Sequence, residues 1–403
     1  MPWAQARATA YGAPAPMEPV RRALAQAQGG CLAAALRAET PVPAFDCAGM
    51  DGYAVGSLDG PWVRLGRVLA GAAETAGLAA GQAVEIATGA PIPAGTVAVL
   101  RYEHAERTGD LVRAVVGRVG AGPGRDIRYR GEDIPDGVDL VPAGAAVTPT
   151  VLGLAATVGL DALLVRPRPR VAALTTGDEI VTRGRPGRGW VRDGVGPQLP
   201  GLVADLGGEL VSLEQVPDLP ADRLAGALAG AAAEVVVTCG GAGPGPADLL
   251  RAALGGLGAT LVVDGVACRP GHPQRLARIP DGRWVVALPG NPFAAVVAAL
   301  TLLGPLVAGL TGRPLRPLPT ACLAAPTSRP ATPAPAPPTP GDAVDRTRLV
   351  PVRWRDAGVV EALGRDRPGN LWGVALADAL AVIPPGWQGG QVALLTLPGG
   401  SAA

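Results

Sequence analysis

The chain of 403 residues contains no lysine, because all 35 of its basic residues are arginine. Glycine and proline are abundant, with 58 and 43 residues, and such an excess is typical of codon bias, which explains the missing lysines without reference to function. The absence still has a chemical consequence. It excludes reactions and sites that need a lysine amine, such as a Schiff base or the lysine of a Walker phosphate loop.

Cysteine is scarce and scattered. The five residues occupy positions 31, 47, 239, 268 and 322, and no two of them form a CxxC pair. This spacing argues against a disulfide framework and against a zinc site of the usual kind. The sequence therefore predicts a protein of the reducing cytoplasm.

Excess charge and long apolar runs are missing as well. The formal net charge is +1, which gives no electrostatic reason to expect a nucleic-acid partner. No run of about 18 apolar residues stands clear of Gly, Pro and Arg, so we expect no membrane span. The first ten residues carry Arg7 and lack the apolar core of a signal peptide.

Three junctions between a short apolar run and a polar, glycine-containing loop are the most informative feature that is present. Residues 171–174, 235–238 and 284–288 are apolar runs typical of buried strands. They lead into TTGDE, CGGAG and PGNP, respectively. Because ligands of open α/β sheets bind at the carboxyl ends of the strands, these loops predict a binding site at one sheet edge.

The pattern along the chain predicts a multidomain α/β protein. A helix is predicted over residues 17–38, short strands between 55 and 119, a helix over 149–158 and alternating strands and helices to about 312. Prolines are dense from 326 to 340, which favours an extended loop or linker, and strands are predicted at 349–354, 359–363 and 380–383. We therefore predict a central parallel-sheet α/β domain with flanking β-rich domains and a C-terminal β domain. The predicted domains are 1–45 plus 128–168 (mixed α/β), 46–127 (inserted, β-rich), 169–314 (α/β) and 315–403 (proline-rich linker and C-terminal β domain).

The loops of the α/β block carry residues suited to a phosphorylated ligand. Thr176-Gly177-Asp178-Glu179 offers a hydroxyl and two carboxylates, which suit Mg²⁺ bridging to phosphate oxygens. The alternative is a helix N-cap with acids favoured by the helix dipole. The glycines from Gly240 to Gly245 would let the backbone approach a phosphate closely, and Asp248 follows on a predicted first helical turn.

Three loops of the N-terminal half are less specific. Asp51-Gly52 is a turn signal, and the segment 86–93 with Thr88 would form a rigid loop that could cradle an oxyanion or be a plain turn. The segment 128–134 places two carboxylates beside two arginines, which in isolation is more often a solvated surface. Near the α/β block, Arg269 and His272 lie in a loop where a histidine is commonly an uninvolved surface residue.

Taken in order, six motifs resemble the molybdopterin molybdotransferase family, which includes bacterial molybdenum-insertion enzymes and the C-terminal domain of gephyrin. They are MDGYAV at 50–55, TGAPIP at 88–93, RGEDI at 130–134, TGDE at 176–179, the double glycine at 240–241 and LPGNP at 288–292. The resemblance covers nearly the whole chain. It implies adenylylated molybdopterin and molybdate as substrates, dependence on Mg²⁺, release of AMP and a homodimer.

The resemblance also assigns roles to residues of this sequence. Asp51, Thr88, Asp133, Asp248, Arg269 and His272 would be catalytic, with Asp51, Thr88 and Asp133 at the molybdate end and Arg269 as the main cation. Thr176, Gly177, Asp178, Gly240, Gly241, Pro289, Gly290, Asn291 and Pro292 would bind the pterin substrate. Glu179 and Asp248 would hold the metal ion. The site would lie between the α/β block of one subunit and the N-terminal segments of the other.

Some positions depart from the family pattern. A loop that usually carries two lysines has Arg269 and His272, and a Ser-Asn pair is replaced by Gly194-Val195. The family's serine after the double glycine is Gly243, and its C-terminal glycine-serine motif is not evident around Gly369-Asn370. Two alternatives therefore accompany the enzyme: a paralogue that binds molybdopterin or a partner protein without turnover, and an enzyme that inserts tungstate.

Overall fold

The structure is a computed structural model that describes residues 1–73, 76–115, 121–218, 222–241, 249–324 and 346–397. The proline-dense segment 326–340 lies outside the described residues. The α-helices of the described part, numbered in chain order, are Trp3–Gly12 (α1), Leu24–Ala27 (α2), Pro149–Thr157 (α3), Leu199–Asp205 (α4), Asp222–Gly230 (α5), Leu249–Gly256 (α6), Pro292–Ala298 (α7), Gly304–Thr311 (α8) and Trp372–Ala375 (α9). Tyr102–His104 and Gly196–Gln198 are 3₁₀ turns, and Ala299–Leu303 is a π-helical segment between α7 and α8.

The strands of the described part fall into three regions. The N-terminal ones are Val20–Ala23 (β1), Cys31–Leu32 (β2), Leu36–Arg37 (β3), Cys47–Ala48 (β4), Gly52–Val55 (β5), Trp62–Val68 (β6), Gln82–Ile86 (β7), Ala98–Arg101 (β8), Ala105–Thr108 (β9), Leu111–Ala114 (β10), Ile127–Arg128 (β11), Asp139–Val141 (β12) and Ala162–Arg166 (β13). The central ones are Arg170–Thr176 (β14), Ile180–Val181 (β15), Val191–Arg192 (β16), Glu209–Val216 (β17), Val235–Cys239 (β18), Thr260–Asp264 (β19), Cys268–Arg269 (β20), Arg275–Arg278 (β21) and Trp284–Leu288 (β22). The C-terminal ones are Thr320–Ala324 (β23), Thr347–Asp356 (β24), Val359–Ala362 (β25), Ala379–Ile383 (β26) and Gly390–Thr396 (β27).

The prediction of one helix over residues 17–38 is wrong. This stretch forms β1, the four-residue helix α2 and the short strands β2 and β3. Both β1 and β2 pair antiparallel with β13, which is formed more than 100 residues later. Tertiary pairing overrides the local alanine-rich pattern here, and Gly29, with φ of +78°, ends the short helix.

A six-stranded sheet occupies the predicted β-rich segment, in the order β8-β5-β7-β6-β10-β9. Its apolar side chains are buried on both faces, for example Val55 and Trp62 on one and Ala54 and Ile86 on the other. The helix predicted over 149–158 is α3. Its N-cap is Thr148, whose side chain accepts a hydrogen bond from the amide of Val151.

The central sheet has the order β17-β14-β18-β22-β21-β19. The strands β17, β14, β18 and β22 are parallel, and helices cover both faces. The chain leaves β14 toward β17 on one side and returns to β18 on the other side. This reversal is a switch point of strand order, where the loops after β14 and β18 diverge and leave room for a ligand.

The prediction of a parallel central sheet holds for four of its six strands and is wrong for the other two. The strands β19 and β21 are antiparallel partners, and β21 is antiparallel to β22. The connection between β21 and β22 spans only residues 279–283, which is too short for a helical crossover and instead forms a turn at Gly282. The sheet is therefore mixed.

One helical stretch, Pro292–Thr311, is long and apolar enough to cross a membrane by length and composition, yet 94% of its apolar 18-residue window is buried inside the fold. It is a core helix, packed against α1. Arg7 of α1 stacks on Trp3 and donates a hydrogen bond to the carbonyl of Leu300 in the π-helical segment. Burial lowers the pKa of Arg7 to about 10.

The C-terminal strands close into a barrel. The order β24-β25-β23-β27-β26 is completed by a further pairing of β24 with β26, so each of the five strands has two neighbours within the ring. The short strand β20 of the central region adds to β24 in parallel, through Cys268 and Arg269. This pairing joins the barrel to the α/β region.

Candidate functional site

A cavity of about 960 Å³ opens at the carboxyl edge of the central sheet. Its walls come from the loops after β14, β18 and β22, together with the segment from Val191 to Val195. Ten of the residues expected to bind the pterin substrate or a metal line it, namely Thr176, Gly177, Asp178, Glu179, Gly240, Gly241, Pro289, Gly290, Asn291 and Pro292. The structure thus brings together the three loops that the sequence predicted to meet.

Glycines form the floor of the cavity. Gly240 follows β18 with φ of +100°, and a β-carbon there would lie 2.7 Å from both the carbonyl and the hydroxyl oxygen of Thr176. A β-carbon added to Gly290 would also lie only 3.6 Å from the Cα of Gly240. The two loops therefore touch through their backbones, and a ligand can come close to the main chain at this point.

The hydroxyl of Thr176 is buried at the floor without a hydrogen-bond partner among the described residues. A buried hydroxyl that lacks a partner costs free energy, on the order of 1–3 kcal/mol. A ligand oxygen in the cavity could remove this cost. The orphaned hydroxyl is thus an observation that favours a polar, oxygen-bearing ligand.

The charged lining of the cavity is mainly acidic. Its described residues include four carboxylates and one guanidinium: Asp178, Glu179, Asp193, Asp218 and Arg192. Asp178 and Asp218 form reciprocal hydrogen bonds: the carboxylate of each residue accepts a hydrogen bond from the backbone amide of the other, at 3.2–3.3 Å. An anionic ligand therefore needs an additional cation to enter.

The side chain of Asp193 has a structural role. One of its oxygens accepts hydrogen bonds from the amides of Val195 and Gly196, at 2.9 and 2.8 Å, at the start of a 3₁₀ turn. Gly194 lies against the loop after β22, since a β-carbon there would come within 2.9 Å of the Pro292 ring. In this chain the glycine at 194 therefore permits close packing of two cavity loops.

The N-terminus of α7 is already occupied. The carbonyl of Pro368 accepts hydrogen bonds from the amides of Phe293 and Ala294, at 3.0 and 3.2 Å. These amides are the ones that a phosphate at a helix N-terminus would use. The neighbouring Gly369 lines the cavity, so a loop of the C-terminal barrel forms part of its wall.

The N-terminal motifs assemble at a second place, which we call the N-terminal loop cluster (residues 46–51, 88–91 and 126–133). Backbone hydrogen bonds join these segments, including Ala48 to Ala90 and Gly49 to Asp126. The carboxylate of Asp51 accepts hydrogen bonds from both the amide and the hydroxyl of Thr88, at 2.6 and 2.8 Å. The two hydrogen bonds, led by the backbone one, hold the pKa of Asp51 below its usual value.

Asp133, the third residue expected at the molybdate end, forms an ion pair with Arg128 in the same cluster. This pairing raises the pKa of Arg128. Asp46 accepts the amide of Arg130 at 2.7 Å and fixes the turn between them. Asp51, Thr88 and Asp133 are exposed, and none of them lines the cavity within one chain.

Arg269 and His272 also lie outside the lining of the cavity, although their neighbour Pro273 belongs to it. Both side chains are exposed. The Nδ1 atom of His272 lies 2.8 Å from the carbonyl of Val266, so the ring clamps its own loop. Within one chain the structure does not place these two residues where the sequence analysis expected a cation pair.

Asp248, expected to be catalytic and to bind the metal, lies outside the described residues. Conversely, sequence reasoning missed Asp193, Asp218 and Gly369. Asp193 follows an arginine-rich stretch, and Asp218 follows β17, a strand whose residues are mostly exposed. The position of Asp218 two residues after a strand was the available signal, since that strand ends at the same sheet edge.

Among the described residues, no three His, Cys, Asp or Glu side chains lie close enough to hold a metal ion by themselves. Mg²⁺ does not need such a cage, because it usually binds one or two carboxylates together with substrate phosphates and waters. Asp178 and Glu179 supply oxygen ligands of this kind, and Cys239 is buried, which raises the pKa of its thiol far above the usual value. The donor set fits Mg²⁺ better than a thiophilic metal.

Two family models match the chain. Residues 1–159 match the MoeA N-terminal region (domain I and II), and residues 172–309 match a domain described as "Probable molybdopterin binding domain". A solved structure of the molybdopterin biosynthesis moea protein from Pyrococcus horikosii is similar with a TM-score of 0.74 and 25% sequence identity. The match covers 98% of this chain and 99% of that one.

Curated relatives agree with these matches. Molybdopterin molybdenumtransferase 1 of Mycobacterium tuberculosis is 34% identical, and the match covers 91% of each chain. Molybdopterin molybdenumtransferase 2 of the same organism is 34% identical over 77% of this chain and 80% of its own length. Molybdopterin molybdenumtransferase of Haemophilus influenzae is 32% identical over 68% of each chain. This chain belongs to the molybdopterin molybdenumtransferase family, the transferases of molybdenum cofactor biosynthesis.

Proposed function

We propose that this transferase inserts molybdate into the dithiolene of adenylylated molybdopterin, with Mg²⁺ as cofactor and with release of AMP. The observation that carries the proposal is the acidic, glycine-floored cavity with the orphaned hydroxyl of Thr176. A phosphoanhydride would be repelled by four carboxylates unless a divalent cation entered with it. The family relationship supplies the molybdopterin substrate.

Asp178 and Glu179 would hold Mg²⁺, and the ion would supply positive charge that offsets the charge developing on the phosphoanhydride oxygens. The chain's own groups position the substrate. The hydroxyl of Thr176 would donate a hydrogen bond to a phosphate oxygen. Gly240 and Gly290 would let that phosphate approach the main chain. Pro368 and Gly369 would close the wall on the side of the barrel.

The N-terminal loop cluster supports a composite site. Asp51 and Thr88 form a preorganised polar pair that is exposed and lies apart from the cavity of its own chain. We therefore propose a homodimer in which the cluster of one subunit faces the cavity of its partner and lines the molybdate end. Arg269 would then contribute its positive charge and His272 its imidazole at the subunit boundary, and the enzyme would work in the cytoplasm.

AMP release from adenylylated molybdopterin is the direct test. We expect AMP to appear only when the protein, Mg²⁺ and molybdate are all present, and EDTA to abolish it. The same assay with tungstate distinguishes the oxyanions. Binding of the substrate without AMP release under any of these conditions would show a non-catalytic paralogue instead.

The composite site has its own test, which uses two inactive variants. Asp51→Ala damages the cluster, and Glu179→Arg, which reverses the charge of a proposed metal ligand, damages the cavity. If subunits exchange freely in an equal mixture, half of the dimers carry one intact site, so activity should return to about a quarter of wild type. A mixture as inactive as its components, after exchange has been verified with a tagged chain, would refute the shared site.

A further inference from the structure

An arginine-rich loop borders the cavity and has no role in the proposed site so far. Residues 182–192, which we call the arginine loop, have the sequence TRGRPGRGWVR, with four arginines and no acidic residue. The ends of the loop are joined by the parallel pairing of β15 with β16. Backbone hydrogen bonds from Val191 to Glu179 and from Asp193 to Val181 fix this base, at 2.9 and 3.0 Å.

The base of the loop belongs to the cavity, whereas its tip lies in solvent. Ile180, Val191 and Arg192 line the cavity beside Glu179. Every residue from 182 to 190 is exposed. The ends of the loop meet at its base, as they do in many surface loops that carry function. It therefore extends the acidic cavity outward into a basic surface.

The arginines of the tip are available for a ligand. Among the described residues, Arg183, Arg185 and Arg188 form no ion pair and no side-chain hydrogen bond, while Arg192 donates to the carbonyl of Val181 at 3.2 Å. Trp190 lies among them with 52% of its surface exposed. Guanidinium groups bind phosphate through paired donors, and an exposed indole offers a face on which a nucleobase can stack.

We infer that the arginine loop is the subsite for the adenylate end of the substrate, with Arg183, Arg185 and Arg188 on the phosphate side and Trp190 against the purine. This inference rests on the proposed function, which supplies an adenylylated substrate. The position also suits a leaving group. The half of the substrate that departs as AMP would already lie at the solvent-exposed rim and could leave without opening the cavity.

Direct binding of AMP to the full-length protein, measured by equilibrium dialysis with Mg²⁺, tests the inference. Replacing Arg183, Arg185 and Arg188 together by Gln should weaken AMP binding at least about tenfold. The matched control replaces Arg21, Arg22 and Arg113 by Gln, which removes the same charge from exposed positions of other sheets. The control should bind AMP as wild type does.

Trp190 provides a second and independent variant. Trp190→Ala should weaken AMP binding about tenfold but leave ribose 5-phosphate, which has no base, unaffected, whereas Trp190→Phe should retain most of the AMP affinity. The arginine variant should weaken both ligands. Unchanged AMP affinity in the arginine and Trp190→Ala variants, or no AMP binding by wild type, would overturn the inference.

The binding experiment and the activity experiment can fail separately. If wild type binds AMP through the arginine loop but releases none from adenylylated molybdopterin, the subsite stands and the proposed reaction falls. If AMP is released and the loop variants match wild type in AMP affinity and in KM, the reaction stands and the subsite falls.

Discussion

Arg7 and Leu300 are 293 positions apart in sequence, yet the guanidinium of Arg7 donates to the carbonyl of Leu300 at 2.8 Å inside the fold. That carbonyl lies in the π-helical segment, where the regular helical hydrogen-bond pattern is interrupted. The first helix of the chain therefore satisfies a backbone group of the core helix. Because Arg7 is nearly buried, its charge is held in place by this bond and by the Trp3 ring.

We expect Arg7→Met to lower the free energy of unfolding by about 1–3 kcal/mol, since a buried carbonyl would lose its donor while the packing volume is largely kept. Urea denaturation measures the change. Arg22→Met, at an exposed position of β1, is the control and should have little effect. Equal stability of the two variants would show that water replaces the guanidinium at Leu300.

The pKa of Asp51 should depend on Thr88. Because hydrogen bonds lower the folded-state pKa of this carboxylate, their contribution to stability is present above the ordinary aspartate pKa and is lost as pH falls through the lowered value. Thr88→Val removes the hydroxyl but keeps the backbone donor, so the pKa should rise only part of the way toward its ordinary value. Thr88→Ser should leave it unchanged. NMR titration of the Asp51 carboxyl measures both, and identical titration of Asp51 in wild type and Thr88→Val would contradict the role of the hydroxyl.

Gly240→Ala should distort the cavity floor. Its positive φ is strained for alanine, and the new methyl group would lie 2.7 Å from backbone and side-chain oxygens of Thr176. We expect a loss of about 2–5 kcal/mol in the free energy of unfolding. Gly184→Ala is a suitable control, because Gly184 has φ of +72° with open space around it and should cost only about 1–2 kcal/mol. Equal losses at the two positions would mean that the contact with Thr176 relaxes freely.

Glu179→Gln should raise the Mg²⁺ concentration needed for half-maximal AMP release by about tenfold, because one of the proposed oxygen ligands loses its charge. Stability should change little, since the side chain is exposed. Glu209→Gln makes the same substitution at the opposite, amino-terminal edge of the sheet and should leave the Mg²⁺ dependence intact. A Glu179 variant with the Mg²⁺ dependence of wild type would remove this residue from the metal site.

The three cavity loops could be predicted from the sequence because each follows a continuous apolar strand and ends in residues with special backbone needs. Gly240, for instance, has a conformation that few other residues adopt. The contribution of Asp218 was missed because β17, the strand before it, is mostly exposed and is not a continuous apolar run. The contribution of Gly369 could not be predicted in this way, since it arises when a distant segment of the chain meets the sheet edge. The helix expected over 17–38 failed for the same reason: the partner of β1 is a strand near residue 165.

The two hydrogen bonds that the carbonyl of Pro368 accepts from the first turn of α7 have a thermodynamic consequence. Through them, the wall of the cavity is built from two regions that are distant in sequence, the α/β region and the barrel. A ligand that fills the cavity binds only when both are folded, so its binding free energy is added to the stability of both at once. At saturating ligand, the α/β region and the barrel should therefore unfold together in a single cooperative thermal transition, because unfolding of either one loses the binding free energy of the ligand.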